Sequence, residues 1–149
     1  MMRSKRLDTV VRIAGDRERD AVGMFAESRN RLAVQEQRLE MLLGYRAEYE
    51  ERFKERGAEG MDMGRLLEYR AFLDRLNRAI EQQRAALTEA QQRMTADRQR
   101  WLEETRRAKS LSKVQERLRG DEQRSADARE QRETDERAGR LASRSDPQP

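Results

Sequence analysis

The chain has 149 residues, 42% charged and 35% hydrophobic, with two prolines and a mean hydropathy of -1.19, too little apolar material for a thick layered core. It has no cysteine and no histidine, which excludes disulfides, thiolate and imidazole metal sites, and the usual nucleophile-imidazole pairs, and so most enzymes. Its 33 basic and 29 acidic residues are interspersed rather than gathered into the basic patch with stacking aromatics of a nucleic-acid binder. The first segment, "MMRSKRLDTVVRIAGDRERD", is basic like a signal peptide, but its apolar run is broken by Arg12 and ends in acids and arginines. No stretch approaches the roughly 18 apolar residues of a membrane span, so the expectation is a cytosolic, uncleaved chain.

From Leu7, steps of four and three residues give Leu7, Val11, Ala14, Glu18, Ala21, Phe25, Ser28, Leu32, Gln35, Leu39, Leu42, Arg46, Tyr49 and Phe53, a coiled-coil seam with polar interruptions. Next comes "RGAEGMDMGR", whose Gly57, Gly60 and Gly64 are costly inside a helix and cheap in a turn. A second ladder follows: Leu66, Tyr69, Leu73, Leu76, Ile80, Gln83, Leu87, Ala90, Met94, Asp97, Trp101, Glu104, Ala108 and Leu111. Folded back on the first, it pairs positions whose numbers total about 119: Phe53 with Leu66, Leu39 with Ile80, Gln35 with Gln83, Leu32 with Leu87, Phe25 with Met94. Trp101 then faces Glu18. The expected fold is all-α, a long antiparallel two-helix coiled-coil hairpin over 1–118, with helices over about 5–55 and 65–118 and a bend at 56–64. Beyond Leu118 the apolar ladder fails, and 119–149 reads as a charged helical extension held by weak Glu to Arg contacts, then a disordered tail. A parallel dimer of unbroken helices is the competing architecture, and the glycines weigh against it.

Within "LEMLLGYRAEYEERF" (39–53), Met41, Leu43 and Tyr45 are surplus to the seam. Tyr45 adjoins Leu42 and Tyr49 at three- and four-residue steps, giving the stripe Leu42, Tyr45, Tyr49; the second helix repeats it with Phe72, Leu76, Ala79 and Gln83. A wide stripe can thicken the hairpin's own core, and for the Leu and Met residues that reading stands beside an exposed one. Tyr45 and Phe72 have no third layer to cover them, so they are expected in an exposed partner-binding patch, removable without loss of seam contacts. Other sites find little support. A two-helix rod has no cleft to desolvate an acid/base pair, "GMDMG" has one carboxylate where a calcium loop needs several, and no phosphate-cradling glycine loop is present. No cofactor and no metal are expected.

The chain resembles the FliJ family, small coiled-coil proteins of the flagellar type III export apparatus. The likeness is carried by "RLEMLLGYRAEYEERF", the glycine-containing bend, "LLEYRAFLDRLNRAIEQQRAAL" and a tryptophan about twenty residues further on. The resemblance implies a non-enzymatic hairpin similar to the central stalk of rotary ATPases. It also implies binding to the hexameric export ATPase, the cytoplasmic part of the export gate protein and export chaperones, with membrane association only peripheral, through that apparatus. The family's gate-binding surface carries over onto Leu42, Tyr45, Tyr49, Phe72, Leu76, Ala79 and Gln83. Arg38 departs from the family pattern, which can carry glutamine there. If the bend half meets the gate, the arginine-rich open end, with Arg12, Arg17 and Arg107, is left for the ATPase. The alternatives are a stalk or chaperone-like coiled coil of another type III system, or a generic structural coiled coil.

Overall fold

A computed structural model describes residues 3–57 and 60–145. Among them the chain forms two α-helices, α1 (Arg3–Gly57) and α2 (Met63–Ser145), and no strand. Neither contains a proline, so no backbone N–H is missing from either ladder. The reversal between them is local chemistry. Gly60 has a φ of 85°, the left-handed region that glycine enters without a Cβ clash, and its N–H bonds to the Gly57 carbonyl at 3.3 Å. Asp62 then caps α2: its Oδ1 accepts from the Arg65 N–H at 2.8 Å, and its carbonyl accepts from the Leu66 N–H at 3.1 Å. Lys54 and Arg56 lie in the last turn of α1, at the negative end of its dipole. Ala58 and Glu59, within the expected bend, lie outside the described residues, as do 146–149 of the expected disordered tail.

Every position of the two sequence ladders, Leu7 to Phe53 and Leu66 to Leu111, is buried or half-buried. The fully covered apolar side chains are few: Ala14, Ala21, Ile80 and, at the margin, Leu76. This is the thin core of a helical hairpin.

The chain divides into two compact units, Arg19–Leu102 and the pair of segments Met1–Glu18 with Glu103–Pro149. In Arg19–Leu102 the helices run antiparallel, as the contacts Tyr49 to Tyr69, Gln35 to Gln83 and Ser28 to Asp97 show. The two glutamines meet as the sequence register requires: Gln83 Nε2 donates to Gln35 Oε1 at 2.7 Å and to the Gln35 carbonyl at 3.0 Å. Arg46, the charged interruption of the first ladder, donates to Asn77 Oδ1 at 3.2 Å. One contact departs from the count. Phe25 meets Trp101 edge to face at 5.5 Å, seven residues beyond the Met94 that the register count sets against it. Helical side chains lean toward their own N-terminus, and in an antiparallel pair both leans move long side chains toward partners of higher number. A register counted on Cα positions therefore holds for Gln35 and Gln83 and does not give the contact of the two large rings.

In the other unit the seam is mixed: Leu7, Val11, Ala14, Ala108, Leu111 and Leu118 alternate with polar positions that pair across it. Ser4, buried, donates through its N–H to Glu122 Oε1 (3.2 Å) and through its hydroxyl to Oε2 (2.6 Å). Gln115 Nε2 donates to the Ser4 carbonyl at 3.0 Å and also to Asp8, which accepts from Arg119 Nη2 at 3.0 Å. The first turn of α1 has no acid of its own, and Glu122 of α2 supplies one to its exposed N–H groups. These hydrogen bonds hold the Glu122 carboxyl below its ordinary range, the Ser4 hydroxyl contributing most. From Gln123 to Ser145, α2 is exposed throughout and braced by local pairs such as Gln131 to Asp135 (3.1 Å) and Arg140 to Glu136 (3.7 Å). No helix among the described residues is long and apolar enough to cross a membrane.

Candidate functional site

The three surplus residues of α1 separate once the seam is formed. Leu43 is half-buried and thickens the core, whereas Met41 and Tyr45 are 53% and 54% exposed. Tyr45 directly precedes the seam residue Arg46, and Phe72 directly precedes the seam residue Leu73. In an antiparallel pair, residues so placed flank the same side of the seam. Phe72 is 40% exposed, and Met41 continues the surface one turn before Tyr45.

Beneath this flank lies a cluster of rings. Tyr49 stacks on Tyr69 with centroids 5.0 Å apart and planes 9° apart, and Phe53 stacks on Tyr69 at 3.7 Å and 17°. Phe72 leans on Tyr49 at 4.4 Å and 46°. Burial, helped by the charge of Glu50 and by Tyr49, pushes the Tyr69 phenol above its ordinary value. Phe72 therefore has one face on the seam and one on solvent. It is not the detached surface residue that its position suggested.

Of the other sequence-selected residues, Leu42, Tyr49 and Ala79 are half-buried along the seam edge. Leu76 is 9% exposed, and Gln83 is held in its bond to Gln35. A partner on this flank would meet Tyr45, Phe72 and Met41 directly, with the seam residues setting their positions. Arg12, Arg17 and Arg107 are exposed and belong to the other unit. Sequence reasoning gave Phe53 and Tyr69 to the seam and missed their part in the ring cluster. The available signal was the spacing Tyr49–Phe53 and Tyr69–Phe72, which puts a ring on consecutive turns of both helices. No group of carboxylates with metal-holding geometry occurs among the described residues.

The fold and this flank define a helical-hairpin coiled coil bearing an exposed aromatic surface near its bend. The model of the flagellar FliJ protein family matches residues 3–146, and the chain belongs to that family. It is 28% identical to the flagellar FliJ protein of Salmonella typhi over 138 residues, covering 93% of this chain and 94% of that protein. It is likewise 28% identical to the flagellar FliJ protein of Escherichia coli strain K12 over 111 residues, covering 74% of this chain and 76% of that protein. Membership supports a place in flagellum biogenesis, protein export and motility.

Proposed function

We propose that the chain is a non-enzymatic coupling component of flagellar protein export, cytoplasmic and peripheral at the inner membrane, that docks on the export gate through the Tyr45 and Phe72 flank. The observation that supports this reading is the exposure of Tyr45 and Phe72 on one side of the seam, Tyr45 outside the seam and Phe72 with one face on it. Large aromatic side chains held on a rigid helical base lose little freedom on binding and are common anchors of protein interfaces. Leu42, Tyr49, Leu76, Ala79 and Gln83 complete the docking surface along the seam edge. The hexameric export ATPase takes the other unit through Arg12, Arg17 and Arg107, whose exposed guanidiniums suit shallow, exchangeable polar contacts. Export chaperones are the third partner class, on grounds of family alone.

The test is titration calorimetry of the full chain against the purified cytoplasmic domain of the gate protein. Tyr45→Ala weakens binding by on the order of 2 kcal/mol, roughly thirtyfold, while leaving the melting temperature in place. Unchanged affinity would remove the gate from this flank. For the ATPase, Arg12→Glu with Arg107→Glu abolishes stimulation of ATP hydrolysis, and added salt weakens it in the unaltered chain, because exposed charges are screened over roughly 8 Å at physiological ionic strength. Stimulation that survives both reversals assigns the ring a different surface.

A further inference from the structure

At the bend, a groove of about 370 Å³ is floored by the rings of Tyr49, Phe53 and Tyr69 and rimmed by Arg52, Arg56 and Arg65. The three arginines are exposed, and Glu68 is the one carboxylate in the lining. None of the three guanidiniums is ion-paired among the described residues, although Glu48 stands four residues before Arg52. Elsewhere the helices do make such pairs, Arg31 with Glu27 at 2.6 Å and Arg84 with Glu81 at 3.3 Å. A rim of unpaired, forked donors above an apolar floor is a surface with its charges left available.

We propose that this groove binds an acidic peptide segment of a partner protein, with carboxylates on Arg52, Arg56 and Arg65 and an apolar side chain against the stacked rings. The volume lies at the lower end of the range of ligand pockets and admits a side chain of a bound segment. An anionic membrane surface fits less well. Residues 48–70 contain seven carboxylates against five basic side chains, so a flat anionic sheet meets repulsion that a narrow segment lying in the groove avoids. The inference does not rest on gate docking: the arginines are distinct from the Tyr45 and Phe72 flank, and Tyr49 alone is common to both.

The test uses the full chain and a fluorescein-labelled peptide of glutamates around one central phenylalanine, read by fluorescence anisotropy at physiological salt. Binding falls about tenfold or more in Arg56→Glu with Arg65→Glu. It is retained in Arg56→Lys with Arg65→Lys, in Tyr45→Ala, and in Arg12→Glu with Arg107→Glu, which keeps general attraction to a basic chain apart from this groove. The inference is overturned by equal binding to the Arg56 and Arg65 reversal, by equal binding of a lysine version of the peptide, or by loss in Tyr45→Ala. It is also overturned if the chain binds phosphatidylglycerol vesicles but not the peptide, and the same reversal removes that binding.

Discussion

The seam near the bend and the seam of the Met1–Glu18 and Glu103–Pro149 unit obey one heptad rule with different mixtures of apolar and polar side chains. Between Leu39 and Phe53, and between Leu66 and Ile80, the facing positions are leucines, an isoleucine and stacked aromatic rings, with Arg46, bonded to Asn77, as the one charged interruption. In the other unit Leu7, Val11 and Leu111 share the seam with Ala14, Glu18, Glu104, Ala108, Gln115 and Ser4, and two buried oxygens there, Glu104 Oε2 and Thr105 Oγ1, have no hydrogen-bond partner among the described residues. Apolar burial contributes about 1.5–3 kcal/mol for each large side chain, whereas a buried polar contact nets only about 1 kcal/mol and an unsatisfied oxygen opposes folding. The bend seam is therefore expected to contribute more stability for each seam position. The mixed seam is held more by specific partners and less by depth of core. A surface for tight docking gains from the first, because its anchors are preorganised. A surface that must be exchanged gains from the second.

The sharpest way to break this comparison is to remove the best-buried large side chain. Ile80→Ala costs about 3 kcal/mol of stability in urea unfolding followed by circular dichroism, whereas Gln115→Ala costs about 1 kcal/mol. Equal effects would mean that the two seams do not differ. Phe72→Ala comes next, at about 1–2 kcal/mol, because the ring leans on Tyr49. Tyr45→Ala stays within about 0.5 kcal/mol, and a Tyr45 effect as large as that of Phe72 would place Tyr45 in the core. In the other unit the sign reverses: Glu104→Leu raises stability by about 1 kcal/mol by removing an unpartnered buried oxygen, and a loss there would reveal a partner for it.

Titration supplies the smallest effects, at opposite ends of the pH scale. Glu122 has a lowered pKa in the folded chain, so its bonds to Ser4 stabilise above the ordinary value of 4.5 and are lost as pH falls through the folded value. The protection factor of the Ser4 amide, its exchange corrected for the intrinsic pH dependence, should fall in acid, and Glu122→Gln should remove that fall. Tyr69 has a raised pKa, so its contribution is complete below 10.0 and is lost as pH rises beyond it. Tyr69→Phe should flatten the alkaline limb of a stability profile.

The sequence carried most of this because helical pairing is periodic. Both ladders, the reversal at the glycines and the Gln35 to Gln83 pair follow from counting threes and fours. Counting Cα positions does not show where long side chains end, and so does not give the ring contact of Phe25 with Trp101. It could not show that Phe72 reaches back onto Tyr49. Apolar periodicity also fades at Leu118, while pairing continues to Glu122 through hydrogen bonds that leave no apolar trace. The ladders thus located the exposed aromatic flank, but the difference within it, Tyr45 exposed and Phe72 leaning on Tyr49, depends on rotamers that spacing does not encode.

The central claim, that stability is concentrated in the apolar seam near the bend, is tested most directly by native-state hydrogen exchange of the full chain, resolved residue by residue. The account predicts that the slowest amides fall within 39–53 and 66–80 and exchange near the global unfolding free energy, while amides of 3–18 and 103–118 exchange through local openings of lower free energy. Uniform protection across both sets, or slower exchange in 3–18 and 103–118 than beside the stacked rings, would contradict it.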